Sequence, residues 1–311
     1  MFDEESGAER AAAAGAETPG KATLALLAVV GLGVLVAGGK VFVDGAVGIS
    51  GGRVKQGAST ISQQLARNIF LNNSRTGATT RLGGRVAANP WLASGPARVI
   101  LNEVRSTHPS HLNGWIEVAG QRAEVIVANP AGIRVNGGGF INAGRVTLSA
   151  GLPVMHAGAL EGYRVKGGQV GGYGGGQVHI EGLGLDLRQT DHARVLARAI
   201  EVNAGLWARD LSLVTGANEV SADASEVRPQ APEPTTPDPT TPRFALDVAA
   251  IGGMYAGHIH LIGTEAGLGV NQAGTIDASG TLTLDVNGWL STHSGARTIA
   301  QTVDIREQRQ R

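Results

Sequence analysis

VIVANPAGIRVNGGGFINAGRVTLSAG, residues 125–151, sets short β-branched runs among closely spaced glycines, with one proline and almost no charge. The glycines invite comparison with a phosphate-binding loop. GIRVNGGGF lacks the lysine and hydroxyl such a loop needs, and no amphipathic helix follows to aim its N-terminus at an anion. The stretch reads instead as strands joined by sharp turns. ARVILNEV (97–104), GWIEVAG (114–120), AEVIVAN (123–129) and GRVTLSA (144–150) repeat the form. Each is short, β-branched and roughly alternating, and Gly, Asn or Pro separates them at intervals too tight for helical crossovers.

Composition agrees. The 311 residues include 47 glycines, only 4% aromatics and 17% charged residues, which suits many short strands and many turns. Net charge is zero, so bulk charge names no partner. Eleven Arg or Lys residues between Arg53 and Arg145 face only Glu103, Glu117 and Glu124, and such a face could meet anionic glycans or an acidic transporter surface, against the plainer reading of a solvated surface. The absence of cysteine excludes thiolate metal sites, thiol catalysis and disulfides.

Residues 1–22 are acidic and alanine-rich and read as disordered. TLALLAVVGLGVLVAGG, Thr23 to Gly39, carries no charge. As a helix it would span about 26 Å, the short limit for a bilayer core, and reads as a membrane-targeting anchor or signal segment. In GRVKQGASTISQQLARNIFLNN (52–73), helical spacing puts Ile61, Leu65, Ile69 and Phe70 on one face. Ala58 to Leu65 resembles the donor-site motif of the peptidoglycan glycosyltransferases, as in bifunctional penicillin-binding proteins. The glutamate base such a reaction needs is missing, since Asp44 is the only carboxylate between Lys40 and the motif. Residues 40–71 therefore read as an inactive glycosyltransferase-like fragment, with a membrane-anchored transferase fragment as the alternative function.

Residues 72–104, with 114–151 and FALDVAAIGGMYAGHIHLIGTEAGLGVNQAGTIDASGTLTLDVNGWL (244–290), resemble the secretion domain of filamentous haemagglutinins, the exoproteins of two-partner secretion. The resemblance runs from about Asn72 to about Gly288. It implies a right-handed parallel β-helix with an N-terminal cap. It also implies recognition by an outer-membrane β-barrel transporter with periplasmic domains, followed by passage to the cell surface. The family's Asn-Pro-Asn-Leu signature stands here as Asn89, Pro90, Trp91 and Leu92; its Asn-Pro-Asn-Gly-Ile signature stands as Asn129, Pro130, Ala131, Gly132 and Ile133. Both depart at the third position. If that asparagine closes a turn, Trp91 and Ala131 cannot, whereas Gly132 can still take a positive φ. The two turns are expected to hold the fold, contact the transporter, or both.

On such a solenoid Val125, Val127, Ile133, Val135, Phe140, Val146 and Leu148 point inward on successive coils. GQVHIEG, LGLDLRQ, RAIEVNAG and DLSLVTG recur at about ten or twenty residues, half or all of a solenoid turn. GGYGGGQ (171–177) reads as a turn or flexible insert, RPQAPEPTTPDPTTPR (228–243) as an extended loop off the same domain, 72–290, and 291–311 as a frayed tail.

No constellation argues for catalysis. Asp186, Asp191 and His192 in DLRQTDH could serve a carbohydrate-active β-helix enzyme, but a solvated turn is the plainer reading. His258 and His260 share a strand face and would need a third ligand to hold a metal. Glu117 and Glu124, with Arg122, read as a charge pair. The expectation is a non-enzymatic secretion module of an adhesin-like exoprotein, with no metal, no cofactor and no nucleic-acid partner; a host-cell or glycan receptor would engage a distal region beyond this chain.

Overall fold

The structure is a computed structural model; it describes residues 96–105, 107–166, 176–230 and 242–307, together with short strands at 35–37, 40–42, 46–50, 53–55, 68–73, 78–81, 84–86, 169–170 and 173–174. Among the described residues every regular element is a strand. The strands stack parallel in three faces, and the chain visits the faces in turn. One coil runs through Trp115–Gly120, Ala123–Ala128 and Ile133–Val135; the next runs through Gly138–Ile141, Ala143–Ser149 and Gln177–Ile180. Each strand pairs in parallel with its counterpart one coil away. The third face is a separate seven-stranded sheet. The first two are joined near the C-terminal end by Thr275–Val286, whose first half pairs with Gly253–Ala256 and second half with His258–Gly263. This is the parallel β-helix.

Register explains why short aliphatic runs suffice. Val125 pairs with Ile100 on one side and Val146 on the other, and the column continues through Ala193, Leu211, Ile259 and Leu282. Coils sit about 4.8 Å apart, so each inward side chain is covered above and below by its equivalents. Val125, Val127, Ile133, Val135, Phe140, Val146 and Leu148 all lie in this core, as the alternation predicts. Burying one such side chain stabilises the fold by roughly 1.5–3 kcal/mol.

Four features depart from the sequence reading. Asn68–Asn73, expected to close a helix, is a strand paired in parallel with Trp115–Gly120, so the solenoid starts before residue 72. The remainder of that expected helix and residues 1–34 lie outside the described residues. Leu35–Ala37, at the end of the apolar segment, pairs antiparallel with Lys40–Phe42 instead of continuing a helix. The tail continues the solenoid as far as Glu307: Leu290–Thr292 and Arg297–Glu307 are rungs, the latter paired with both halves of Thr275–Val286. Its Val303 and Ile305 stack on Leu282 and Leu284 but remain 48% and 44% exposed, since no further strand covers them among the described residues.

The fourth departure is the largest. After the second-face strands Ala143–Ser149 and Asp210–Thr215 the chain leaves the solenoid. Leu152–His156 with Ala159–Val165, and Asn218–Ser221 with Val227–Pro229, form hairpins that pair with each other in a four-stranded antiparallel sheet. That sheet lies over the outer side of the second face. Tyr163, Val165 and Val220 pack there against Leu101, Ile126, Leu196 and Val214, making a second core. Most of the proline-rich stretch lies outside the described residues; Arg228 and Pro229 end the last of these strands.

Candidate functional site

The Asn129 turn links the second face to the third. Asn129 is fully buried. Its Oδ1 accepts from the Ala131 N–H at 2.9 Å, an Asx turn, and the Gly132 N–H donates to the Asn129 carbonyl at 2.9 Å. Its Nδ2 donates to the His108 carbonyl and to the Ser110 hydroxyl, both 2.9 Å away on the preceding coil. The Asn129 N–H donates to the Ser149 carbonyl on the following coil. One residue thus fastens three coils at a corner, its carboxamide joining the preceding coil and its backbone N–H the following one. Gly132 adopts φ +108°, and a Cβ there would come within 2.9 Å of the Gln177 carbonyl. The turn is closed by the first asparagine of the signature, which is why alanine is accommodated at the third position: Ala131 is 2% exposed. Of the five residues only Pro130 is partly exposed. Asn89, Pro90, Trp91 and Leu92 lie outside the described residues.

The other candidates do not converge. Asp186 accepts from Arg188 at Nε (3.0 Å) and Nη2 (2.6 Å), and that hydrogen bonding holds its carboxyl below the usual range. Asp191 accepts from Arg122 at 2.5 Å and faces Arg209 at 3.5 Å, with the same effect on its pKa. His192 lies 3.9 Å from Asp210. These are exposed ion pairs, each worth little. His258 and His260 both point outward, and His258 Nδ1 accepts from the Thr281 N–H. Among the described residues no three His, Asp or Glu side chains gather as a metal site would require.

The expected Glu117–Arg122–Glu124 group is corrected. Glu117 lies on the first face, buried, and accepts the Arg81 N–H at 2.6 Å; Glu124 lies on the second face and pairs with Arg145 at 3.3 Å. A coil corner separates them, so they point different ways, and Arg122 turns to Asp191.

Two buried groups carry no sequence signal of their own. Arg198 and Glu265, 9% and 10% exposed, form a bidentate pair with contacts of 2.7 and 3.0 Å, and Glu265 also accepts from the Ala217 N–H. The pair bridges two corners at the root of the second hairpin. Under the first, Tyr163 is 1% exposed; burial, and next the Glu124 carboxylate, push its phenol pKa up, while burial pulls the Arg194 guanidinium down.

A family profile described as "TPS secretion domain" matches residues 63–292, and a haemagglutinin-repeat profile matches 6–84. Together they take in the stretch read as glycosyltransferase-like, and that resemblance is left without support. The chain is similar to the Toxin CdiA of Yersinia pestis, 47% identical over 225 residues, which is 72% of this chain and 6% of that protein. It is similar to the tRNA nuclease CdiA-2 of Burkholderia pseudomallei, 39% identical over 73% of this chain and 7% of that protein. To the 16S rRNA endonuclease CdiA of Enterobacter cloacae it is 43% identical, over 71% of this chain and 6% of that protein. The chain thus spans a small fraction of the length of these relatives, and the activities in their names are theirs. Among solved structures, the filamentous hemagglutinin secretion domain superposes with a TM-score of 0.64 and 26% identity, covering 89% of this chain and 90% of that one.

Proposed function

The chain belongs to the TPS secretion domain family, a secretion module of two-partner secretion exoproteins, and from that premise we propose that an outer-membrane β-barrel transporter with periplasmic domains recognises it and passes it from the periplasm to the cell surface. The observation that carries the reading is the family match over residues 63–292, which spans the coils built above. In this reading the chain is a recognition module with no reaction of its own. The engagement of Asp186 by Arg188 and of Asp191 by Arg122 supports that.

The signatures Asn89–Leu92 and Asn129–Ile133 serve recognition in the same proposal. The burial of Asn129 favours an indirect part for the second: it fixes the corner from which Pro130 shows. The test is export of the chain behind a cleavable signal peptide, with and without a co-expressed partner barrel. Appearance in the medium only with the barrel is the expected result. Equal export without it would remove the functional reading and leave the fold standing.

A further inference from the structure

On the outer side of the first face, one register column runs Asp186, Trp207, Tyr255, Asp277. Side chains on a sheet ordinarily stand up from it. These two rings lie down instead. Gly205 and Gly253 pair with each other two positions back along the same strands, and each leaves a bed for its ring. A Cβ at Gly205 would run into the Trp207 ring, and one at Gly253 would lie 2.6 Å from the Tyr255 hydroxyl. The rings are nearly parallel, 14° apart, with centroids separated by 6.1 Å on successive coils. Tyr255 is 37% exposed and Trp207 half-buried. Leu206 and Met254, from the same strands, fill the interior without them.

The surroundings are polar and ordered. The Arg188 guanidinium reaches over the Trp207 ring, 5.9 Å from its centroid, and is clasped by Asp186, while Asp277 follows Tyr255 in the column. Flat aromatic faces present an electron-rich surface to the polarised C–H bonds of a sugar ring, and a carboxylate and guanidinium beside them accept from and donate to hydroxyls. Asp186 and Arg188 neutralise each other, which leaves the Asp277 carboxylate as the excess charge beside the rings and disfavours an acidic sugar. We propose that the Trp207–Tyr255 platform binds a neutral hexopyranose chain laid along the stacking direction of the coils. This is an activity of the folded chain, separate from its recognition by a transporter.

The test is titration of the full chain with cellohexaose, maltohexaose and the acidic polymer polygalacturonate, followed by tryptophan fluorescence and calorimetry. At least one neutral oligosaccharide is expected to bind. Trp207→Ala and Tyr255→Ala should each weaken it roughly tenfold or more, with circular dichroism unchanged. Leu183→Asp with Ile251→Asp, at the exposed corner nearby, should leave it intact. Failure of both neutral probes at millimolar concentration overturns the proposal, as does tighter binding of polygalacturonate, or affinity that survives loss of both rings. Loss of binding in the Leu183→Asp/Ile251→Asp variant alone also overturns it, and moves the sugar site from the rings to that corner.

Discussion

Asn129 donates from its carboxamide to the hydroxyl of Ser110, 2.9 Å away on the preceding coil, at a site from which water is shut out. The same side chain closes its own turn and reaches the His108 carbonyl. Asn129→Ala strands these buried partners and is expected to cost about 2–4 kcal/mol, read from urea unfolding. Ser110→Ala removes one of the bonds and should cost about 1 kcal/mol.

Gly132 and Gly267 separate two costs. Both have positive φ, +108° and +81°, but a Cβ at Gly132 meets the Gln177 carbonyl while one at Gly267 meets nothing within 4 Å. Gly267→Ala should cost about 1 kcal/mol from backbone strain alone, and Gly132→Ala about 2–4 kcal/mol, since two coils must also part. Thermal melting of the two variants side by side checks the difference.

Leu148 and Ile305 belong to one register column, but only Leu148 is fully buried. Leu148→Ala leaves a cavity and should cost about 2–5 kcal/mol, whereas Ile305→Ala should fall within about 1 kcal/mol of the parent. Equal effects in denaturant melts would mean that the coil at residues 297–307 is as well covered as the middle.

Arg198 and Glu265 are hydrogen-bonded and nearly buried. Glu265→Gln leaves a guanidinium without its charge partner and should cost about 3–5 kcal/mol, while an Arg198→Met/Glu265→Leu double variant should recover most of that loss. A double-mutant cycle measures the coupling.

Glu103 is 1% exposed, and burial raises its carboxyl pKa although the Arg105 guanidinium at 2.6 Å opposes this. An acid whose pKa is higher in the folded than in the unfolded state contributes most at low pH, and its contribution falls as pH rises from the unfolded pKa through the folded one. Glu103→Gln should therefore melt higher than the parent at neutral pH, with the gap closing as pH drops below the ordinary glutamate range. A gap that widens in acid would show the Arg105 contact outweighing burial.

The solenoid is legible because inward positions alternate and many of the strands are bounded by Gly or Asn; Val125, Val127, Val146 and Leu148 need no other signal. The antiparallel sheet was not legible, because Leu152–His156 and Ala159–Val165 alternate just as rungs do. The one local sign is the Ala157–Gly158 pair, whose φ values of 48° and 84° make a tight hairpin turn; in sequence it looks like any other glycine corner. Arg297–Glu307 hid for a different reason. Its Gln, Asp and Arg residues, and a register shift near Ala300, mask a strand in which Ala300, Val303 and Ile305 continue the inward columns. Sequence proximity groups Glu117, Arg122 and Glu124 but says nothing of a corner between faces. The Asn129 turn was legible as a turn, but not its link to Ser110, which depends on coil spacing.

The two hairpins that cover the second face leave from coils separated by a complete intervening one. A chain that emerges N-terminus first completes the first hairpin while its antiparallel partner is still unmade. Until that partner arrives, the outer edge of Ala159–Val165 has nothing to pair with and Tyr163 lacks Val220 opposite it. In a chain that emerges in that order the structure is therefore not assembled purely rung by rung: the cladding acts as a delayed latch, and closes only after the coil between has been wound.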